Sequence, residues 1–353
     1  MALVMRVTLG NRGVQAALLA ALLFGAGTPA AKLLLGDISP WMLAGLLYCG
    51  SGLGLGLIRI VRRSPRVRLS RGEWAPLIGA VVLGGMVAPV FLLAGLTQLP
   101  ASGASLLLNA EGVCTALLAW FAFKENVDRR IALGMVAIVA GAIVLSVPGG
   151  VHWGSLWPSL AILGACVCWG LDNNLTRKIA LTDATWLAAV KGSVAGPVNL
   201  ILAVTVGAAQ VPVAGPVVAA LVVGFFANGV SLVLFIVGMR YVGTARAGAY
   251  FSIAPFFGAL LAVALGDPLT WPLALAGGLM AVGVWLHLTE DHRHTHRHEP
   301  LSHTHAHTHD DHHHHRHSSD PVPAGARHTH EHIHEPTEHT HPHYPDAHHR
   351  HPH

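Results

Sequence analysis

ASGASLLLNAEGVCTALLAWFAFKE, from Ala101 to Glu125, is an apolar stretch of helix length with one carboxylate, Glu111, near its middle. It has an echo in ARAGAYFSIAPFFGALLAVALGD, from Ala245 to Asp267, where small residues again precede an apolar run that ends on an acid. In this alignment Glu111 falls opposite Pro255, and Glu125 close to opposite Asp267. FGAGTPAAK (Phe24 to Lys32) matches WGLDNNLTRK (Trp169 to Lys178) at nearly the same offset, which also sets Trp41 against Trp186. The chain reads as one apolar unit written twice.

Composition sets the class. The 353 residues are 52% hydrophobic and only 11% charged, with a mean hydropathy of +0.52. The apolar residues come in blocks of about 20, the length that crosses a bilayer core. A soluble domain is excluded, and a polytopic membrane protein is expected. Cys49, Cys114, Cys166 and Cys168 all fall within apolar blocks, where a thiol acts as a small packing residue. The Cys166–Cys168 spacing fits neither a redox motif nor a zinc ribbon.

The first apolar block follows Arg6 and Arg12 and ends in GAGTPAA, which imitates a secretory signal. Its apolar run continues through Leu35 and matches the internal segment around Trp169, so it is read as a retained first helix. Ten spans follow, at about 14–35, 41–61, 74–97, 101–123, 130–148, 155–178, 184–207, 213–239, 244–266 and 270–288. Arg62, Arg63, Arg66, Arg68 and Arg71, then Lys124, Arg129 and Arg130, then Arg177 and Lys178, and Arg240 occupy alternate connections; the intervening ones have no Lys or Arg. The positive-inside bias then puts both termini in the cytoplasm. Five spans per repeat is an odd number, so the second copy must enter from the opposite side, as in many secondary transporters.

Ten spans in two five-helix repeats, FG...K and WG...RK in the first helix of each half, FKE and LGD at the exit of the fourth, and Gly141 matching Gly283 in the fifth resemble the EamA-type transporters of the drug/metabolite transporter superfamily. The resemblance covers about residues 11 to 288. It implies a carrier of small metabolites in the bacterial cytoplasmic (inner) membrane, all-α, with repeats at residues 1–148 and 149–289. Glu111 departs from it, standing where a proline is expected and where Pro255 keeps one in the second half.

Polar side chains within spans are costly in hydrocarbon and mark function by default. Glu111 lies near the middle of span 4, where it could load and release a proton; the alternative is a neutral side chain hydrogen-bonded to a neighbouring helix. Asp172 and Lys191 lie almost equidistant from the turn at Leu181 and Thr182, so a hairpin of spans 6 and 7 sets them at similar depth as an ion pair, structural or substrate-binding. Asn109, Asn173 and Asn174 complete the candidate polar lining, with interhelical hydrogen bonding as the plainer role. Pro29, Pro89, Pro197 and Pro255 should bend or open their spans, and Trp41, Trp74 and Trp271 sit at span ends as interfacial anchors.

From residue 290 to 353 the composition changes: 24 of the 26 His lie there, alternating as H-x-H with Thr, Asp, Glu and Pro. Without residues to build a core, this cytoplasmic tail is expected to be disordered. Neutral imidazole ligates zinc, nickel, cobalt and copper, so the tail is a candidate metal binder through His292, His294, His296, His298, His303, His305, His307, His309, His312, His313, His314, His315, His328, His330, His332 and His334. HEPLSH and HEPTEH are one residue longer than the zinc-protease motif and contain Pro, so they do not set two His on one helical face. No enzyme, required cofactor or nucleic-acid partner is indicated. The expected partners are membrane lipid, a small-molecule or ion substrate, divalent metal on the tail and a second copy in a homodimer. A core that carries a metabolite or drug is preferred; a core that carries the metal collected by the tail is the alternative.

Overall fold

In the computed structural model the described residues are 12–67, 69–123, 129–146, 153–179, 182–210, 212–242, 247, 250–288 and, in the tail, 293–297, 302–307, 328–333 and 338–342. Up to residue 288 every regular element among them is helical. The helices are α1 (Arg12–Leu34), α2 (Pro40–Val61), α3 (Trp74–Ala80), α4 (Ala88–Leu96), α5 (Ala101–Leu107), α6 (Ala110–Phe123) and α7 (Arg129–Ser146), then α8 (Trp153–Arg177), α9 (Ala184–Thr205), α10 (Ala214–Val223), α11 (Ser231–Val242), α12 (Ala254–Ala264) and α13 (Trp271–Leu288).

Among the described residues, five helical stretches are long and apolar enough to cross a membrane: Arg12–Leu34, Pro40–Val61, Arg71–Leu96, Ala184–Thr205 and Ala214–Gly238; Ala132–Ser146, Ala254–Ala264 and Trp271–Leu286 are shorter apolar helices. Leu53, Ile60, Leu133, Val136 and Leu260 are each more than half exposed, a surface that suits lipid. Trp74 and Trp271 are exposed at helix starts.

Two of the long stretches are not uniform. A π-helical segment, Val81–Val87, joins α3 to α4, and another, Gly224–Val230, joins α10 to α11. They occupy equivalent places in the two sequence repeats. The first has a visible cause: Pro89 cannot donate to the carbonyl four residues back, and the freed carbonyls there need other donors.

The segment read as one helix over 101–123 is corrected to two. Leu108 and Asn109 form a turn between α5 and α6, with Leu108 N to Ser105 O at 3.2 Å and Asn109 N to Leu106 O at 3.0 Å. The Asn109 amide reinforces it by donating to Leu106 O at 3.0 Å. The segment read as one helix over 244–266 is interrupted in the same way, by a turn at Ser252 and Ile253. Pro255 therefore does not bend a helix; it lies in the first turn of α12, where its missing N–H is no loss. Glu111 lies in the first turn of α6, where a carboxylate meets free N–H groups. The sequence match of Glu111 to Pro255 is thus a match between two helix starts.

The packing is reciprocal. α1 of the first repeat lies against α11 and α12 of the second, while α8, the first helix of the second repeat, lies against α4 and α6 of the first; α2 packs on α9, and α7 on α13. Glycines permit these approaches. A side chain at Gly25 would strike the Ala254 carbonyl, and one at the matching Gly170 would strike Cys114 and Thr115; Gly52 and Gly192 meet each other, as Gly141 meets Met280 and Gly283 meets Gly134. Ala17, Leu43, Leu93, Leu107, Ile162 and Met280 are among the fully buried side chains of this body.

In the tail the described residues are four short strands. β1 (Arg293–Arg297) pairs antiparallel with β4 (Glu338–Pro342), and β2 (Ser302–His307) with β3 (His328–Ile333). Alternation of His with Thr, a β-branched residue, supplies the period of two that a strand needs. Residues 291–344 form a compact unit of their own.

Candidate functional site between the two repeats

α8 carries the centre of the site. Trp169, Asp172, Asn173 and Thr176 recur at three- and four-residue spacing, so they share one side of this helix. Asp172 Oδ2 receives Lys191 Nζ of α9 at 2.5 Å, with the two side chains 6% and 12% exposed, and Thr176 Oγ1 donates to Asp172 Oδ1 at 3.0 Å. One turn of the α8–α9 hairpin thus joins the two charges that sequence places at equal depth.

Glu111 comes from α6, across from α8. Its Oε1 accepts from Asn173 Nδ2 at 2.8 Å, and Asn173 also reaches Thr115 Oγ1 at 3.4 Å. Thr115 Oγ1 donates back to Glu111 O at 2.9 Å. Asn174 ties the same two helices by donating to Thr115 O at 3.3 Å and to Gly170 O at 2.9 Å. The Asp172–Lys191 pair cancels itself, so Glu111 decides the net charge of the cluster: neutral when protonated, minus one when ionised.

Asn109 stands apart. Its amide serves Leu106 O and approaches Met280 Sδ at 3.8 Å, and its Oδ1 has no partner among the described residues. It is brought to the helix break, not to Glu111 and Asn173.

The first π-helical segment forms the wall beside the ion pair. Gly84 O, five residues before Pro89, accepts from both Tyr48 Oη at 2.6 Å and Trp169 Nε1 at 3.1 Å. Asn199 Nδ2 reaches Gly85 O at 3.3 Å and Met86 O at 3.4 Å. Gly84 has no room for a side chain, because the Asp172 carboxylate occupies that place. Tyr48, Trp169 and Asn199 were not expected as site residues; the signal that could have found them is Pro89, whose missing donor leaves carbonyls one turn earlier in need of partners. Next to this wall lies a cavity of about 40 Å³ between the repeats, lined by Phe24, Thr28, Leu47, Pro89, Trp169 and Asn228 among others. Phe24 bridges Trp169 and Phe251, with ring centroids 6.3 and 5.3 Å away. A wider cleft of about 230 Å³ on the α12–α13 surface is lined by apolar and aromatic side chains, without the charged groups of the inner site.

Two further polar contacts fix helix ends. Asp183 caps α9, its carboxylate accepting from Trp186 N at 2.9 Å and pairing with Arg59 of α2 at 2.6 Å. Partial burial works against its charge, but these donors prevail and hold the carboxyl below its usual range. Asp267, the acid of LGD, accepts from Ser102 N at the start of α5 at 2.8 Å, and the preceding Gly266 supplies the left-handed φ of 113° that turns the chain there. Its counterpart Glu125 lies outside the described residues, as do His292, His298, His309, His312, His313, His314, His315 and His334 of the tail. His294, His296, His303, His305, His307, His328, His330 and His332 fall within the four strands.

Apolar helices of membrane-crossing length around a buried ion pair and a half-buried carboxylate are those of a multi-pass membrane protein. The chain belongs to the EamA-like transporter family, whose profile matches residues 11–147 and again residues 156–289. It is 28% identical over 287 residues, covering 76% of this chain and 83% of the relative, to an uncharacterized transporter of Methanothermobacter thermautotrophicus. It is 24% identical over 202 residues to the uncharacterized transporter YyaM of Bacillus subtilis, covering 52% and 63% of the two chains. A solved crystal structure, 20% identical, shares the fold with a TM-score of 0.61 over 78% of this chain and 98% of its own.

Proposed function

We propose that the protein is a secondary transporter that moves a small metabolite or drug across the bacterial cytoplasmic membrane by alternating access, with Glu111 carrying the coupled proton. In this reading ten spans form two inverted five-helix repeats, both termini face the cytoplasm, and the tail binds divalent transition metals. The observation that carries it is the Glu111–Asn173 hydrogen bond beside the Asp172–Lys191 pair, at the junction of the two repeats. Reciprocal packing of α1 and α8 supports the pseudo-symmetry, and such a junction is where carriers of this build place their site. Protonating Glu111 removes the one net charge of the cluster, which gives the two ends of a transport cycle different electrostatics.

The test is solute profiling of cells that express the full chain or Glu111→Gln, followed by proton-gradient-driven uptake of the responding solute into proteoliposomes. The proposal expects accumulation to change with the native chain and not with the variant. Equal, pH-independent transport by both would overturn the proton role.

The His content of the tail favours one other reading, in which the core carries zinc, nickel or cobalt delivered by the tail. The core argues against it, since two carboxylates, one already paired with Lys191, make a poor path for a transition metal. Metal accumulation that requires both the tail and Glu111, measured against a chain ending at Leu288, would establish it.

A further inference from the structure

Lys32 lies one turn beyond the cavity between the repeats. Its ammonium donates to Leu96 O at 2.6 Å and to Thr97 O at 3.2 Å. These carbonyls end α4, where the helix supplies no partner of its own and a cation is favoured. Thr28, one turn before Lys32 in α1, and Leu92, one turn before Leu96 in α4, both line the cavity. The bond therefore closes the pair of helices on the side to which both of them run.

A second contact works at the same end. Asp267 Oδ2 accepts from Ser102 N at 2.8 Å, which ties the exit of α12, in the second repeat, to the start of α5, in the first. The Asp267 carboxylate also acts on the Lys32 charge. Around these two contacts Ala31, Leu96, Ala101 and Ala262 are all buried in one apolar cluster, so this end is shut.

We propose that Lys32 and Asp267 are the gate residues of the outer end: their bonds hold α1, α4, α5 and α12 together over the cavity, and their release opens it to the outside. The proposal rests on the alternating-access reading and on the orientation that puts this end away from the cytoplasm. Both contacts join one side chain to a backbone group at a helix end, and Thr97 is exposed, so water can take over each bond at small net cost. The Arg59–Asp183 pair is of another kind. It joins α2 to α9, whose backbones touch at Gly52 and Gly192, and neither charge lines the cavity.

The experiment introduces Thr28→Cys into the full chain and treats intact cells and inside-out vesicles with a membrane-impermeant maleimide. Modification is read at residue 28 by mass spectrometry, so the four native Cys stay in place. Asp37→Cys, in the exposed connection after α1, marks the face on which this end lies. From that face, Lys32→Met and Asp267→Ala are each expected to speed labelling of residue 28 by about tenfold or more. Lys32→Arg keeps a charged donor and should leave labelling slow. Labelling no faster in Lys32→Met and Asp267→Ala than in their parent would overturn the gate, as would equal labelling of Lys32→Arg and Lys32→Met. Residue 37 labelled only in inside-out vesicles would reverse the orientation, and the same comparison in those vesicles then decides the gate. A gate that fails while residue 28 is labelled from the opposite face leaves alternating access standing; residue 28 protected from both faces in every form would remove that reading as well. Helical circular dichroism checks the fold of each form.

Discussion

Asn173 donates to Glu111 across the contact between α8 and α6, at 2.8 Å. The bond links the first helix of the second repeat to the half-helix that starts beside a break in the first. Asn173→Leu takes away this donor and should cost on the order of 1.5–3 kcal/mol where the acceptor is ionised. Transport should fall by at least tenfold with helical content retained, and Asn173→Gln should restore part of it. Unchanged uptake kinetics in Asn173→Leu would separate Glu111 from its partner.

Asp172 and Lys191 are buried together, so either neutral change leaves the other charge alone, at a cost of about 3–5 kcal/mol. Asp172→Asn and Lys191→Met should each lower the thermal midpoint in detergent. The double reversal Asp172→Lys with Lys191→Asp should recover part of what each single reversal loses; additive losses around this cycle would deny the coupling.

Tyr48 and Trp169 share one acceptor, Gly84 O. Tyr48→Phe should destabilise by only about 1 kcal/mol while Trp169 still donates. Tyr48→Phe with Trp169→Phe should cost more than the sum of the single changes, because the π-helical carbonyl then has neither donor. Thermal unfolding of the four forms measures the excess.

Asp183 gives the pH dependence. Its carboxyl is held below its usual range by Trp186 N–H and Arg59, so its contribution is present above the unfolded value of about 3.9 and is lost as pH falls through the lower folded value. Asp183→Asn keeps a capping oxygen and loses the ion pair. It should be less stable than the native chain near neutral pH, by on the order of 1 kcal/mol for a partly exposed pair, and the gap should close in acid. A gap that widens as pH falls would contradict the assignment.

The sequence by itself determined the class, the duplication and the candidate polar groups. Apolar blocks need no partner to be recognised, because their length alone matches a bilayer, and two copies of one pattern are visible wherever Phe24 matches Trp169 and Gly25 matches Gly170. It also paired Asp172 with Lys191, since a hairpin fixes depth by simple counting from its turn. Tertiary structure alone decided which groups meet across helices distant in the chain. Glu111 and Asn173 lie 62 residues apart, and no periodicity announces their contact. The break at Leu108 and Asn109 was hidden because neither Gly nor Pro stands at it and a lone Asn is tolerated inside a helix, and only the packing of two half-helices against α1, α8 and α12 makes it visible. The π-helical wall was equally silent: Pro89 shows that carbonyls are freed, but Tyr48, Trp169 and Asn199 answer them from three separate helices, an outcome set by packing and not by local propensity.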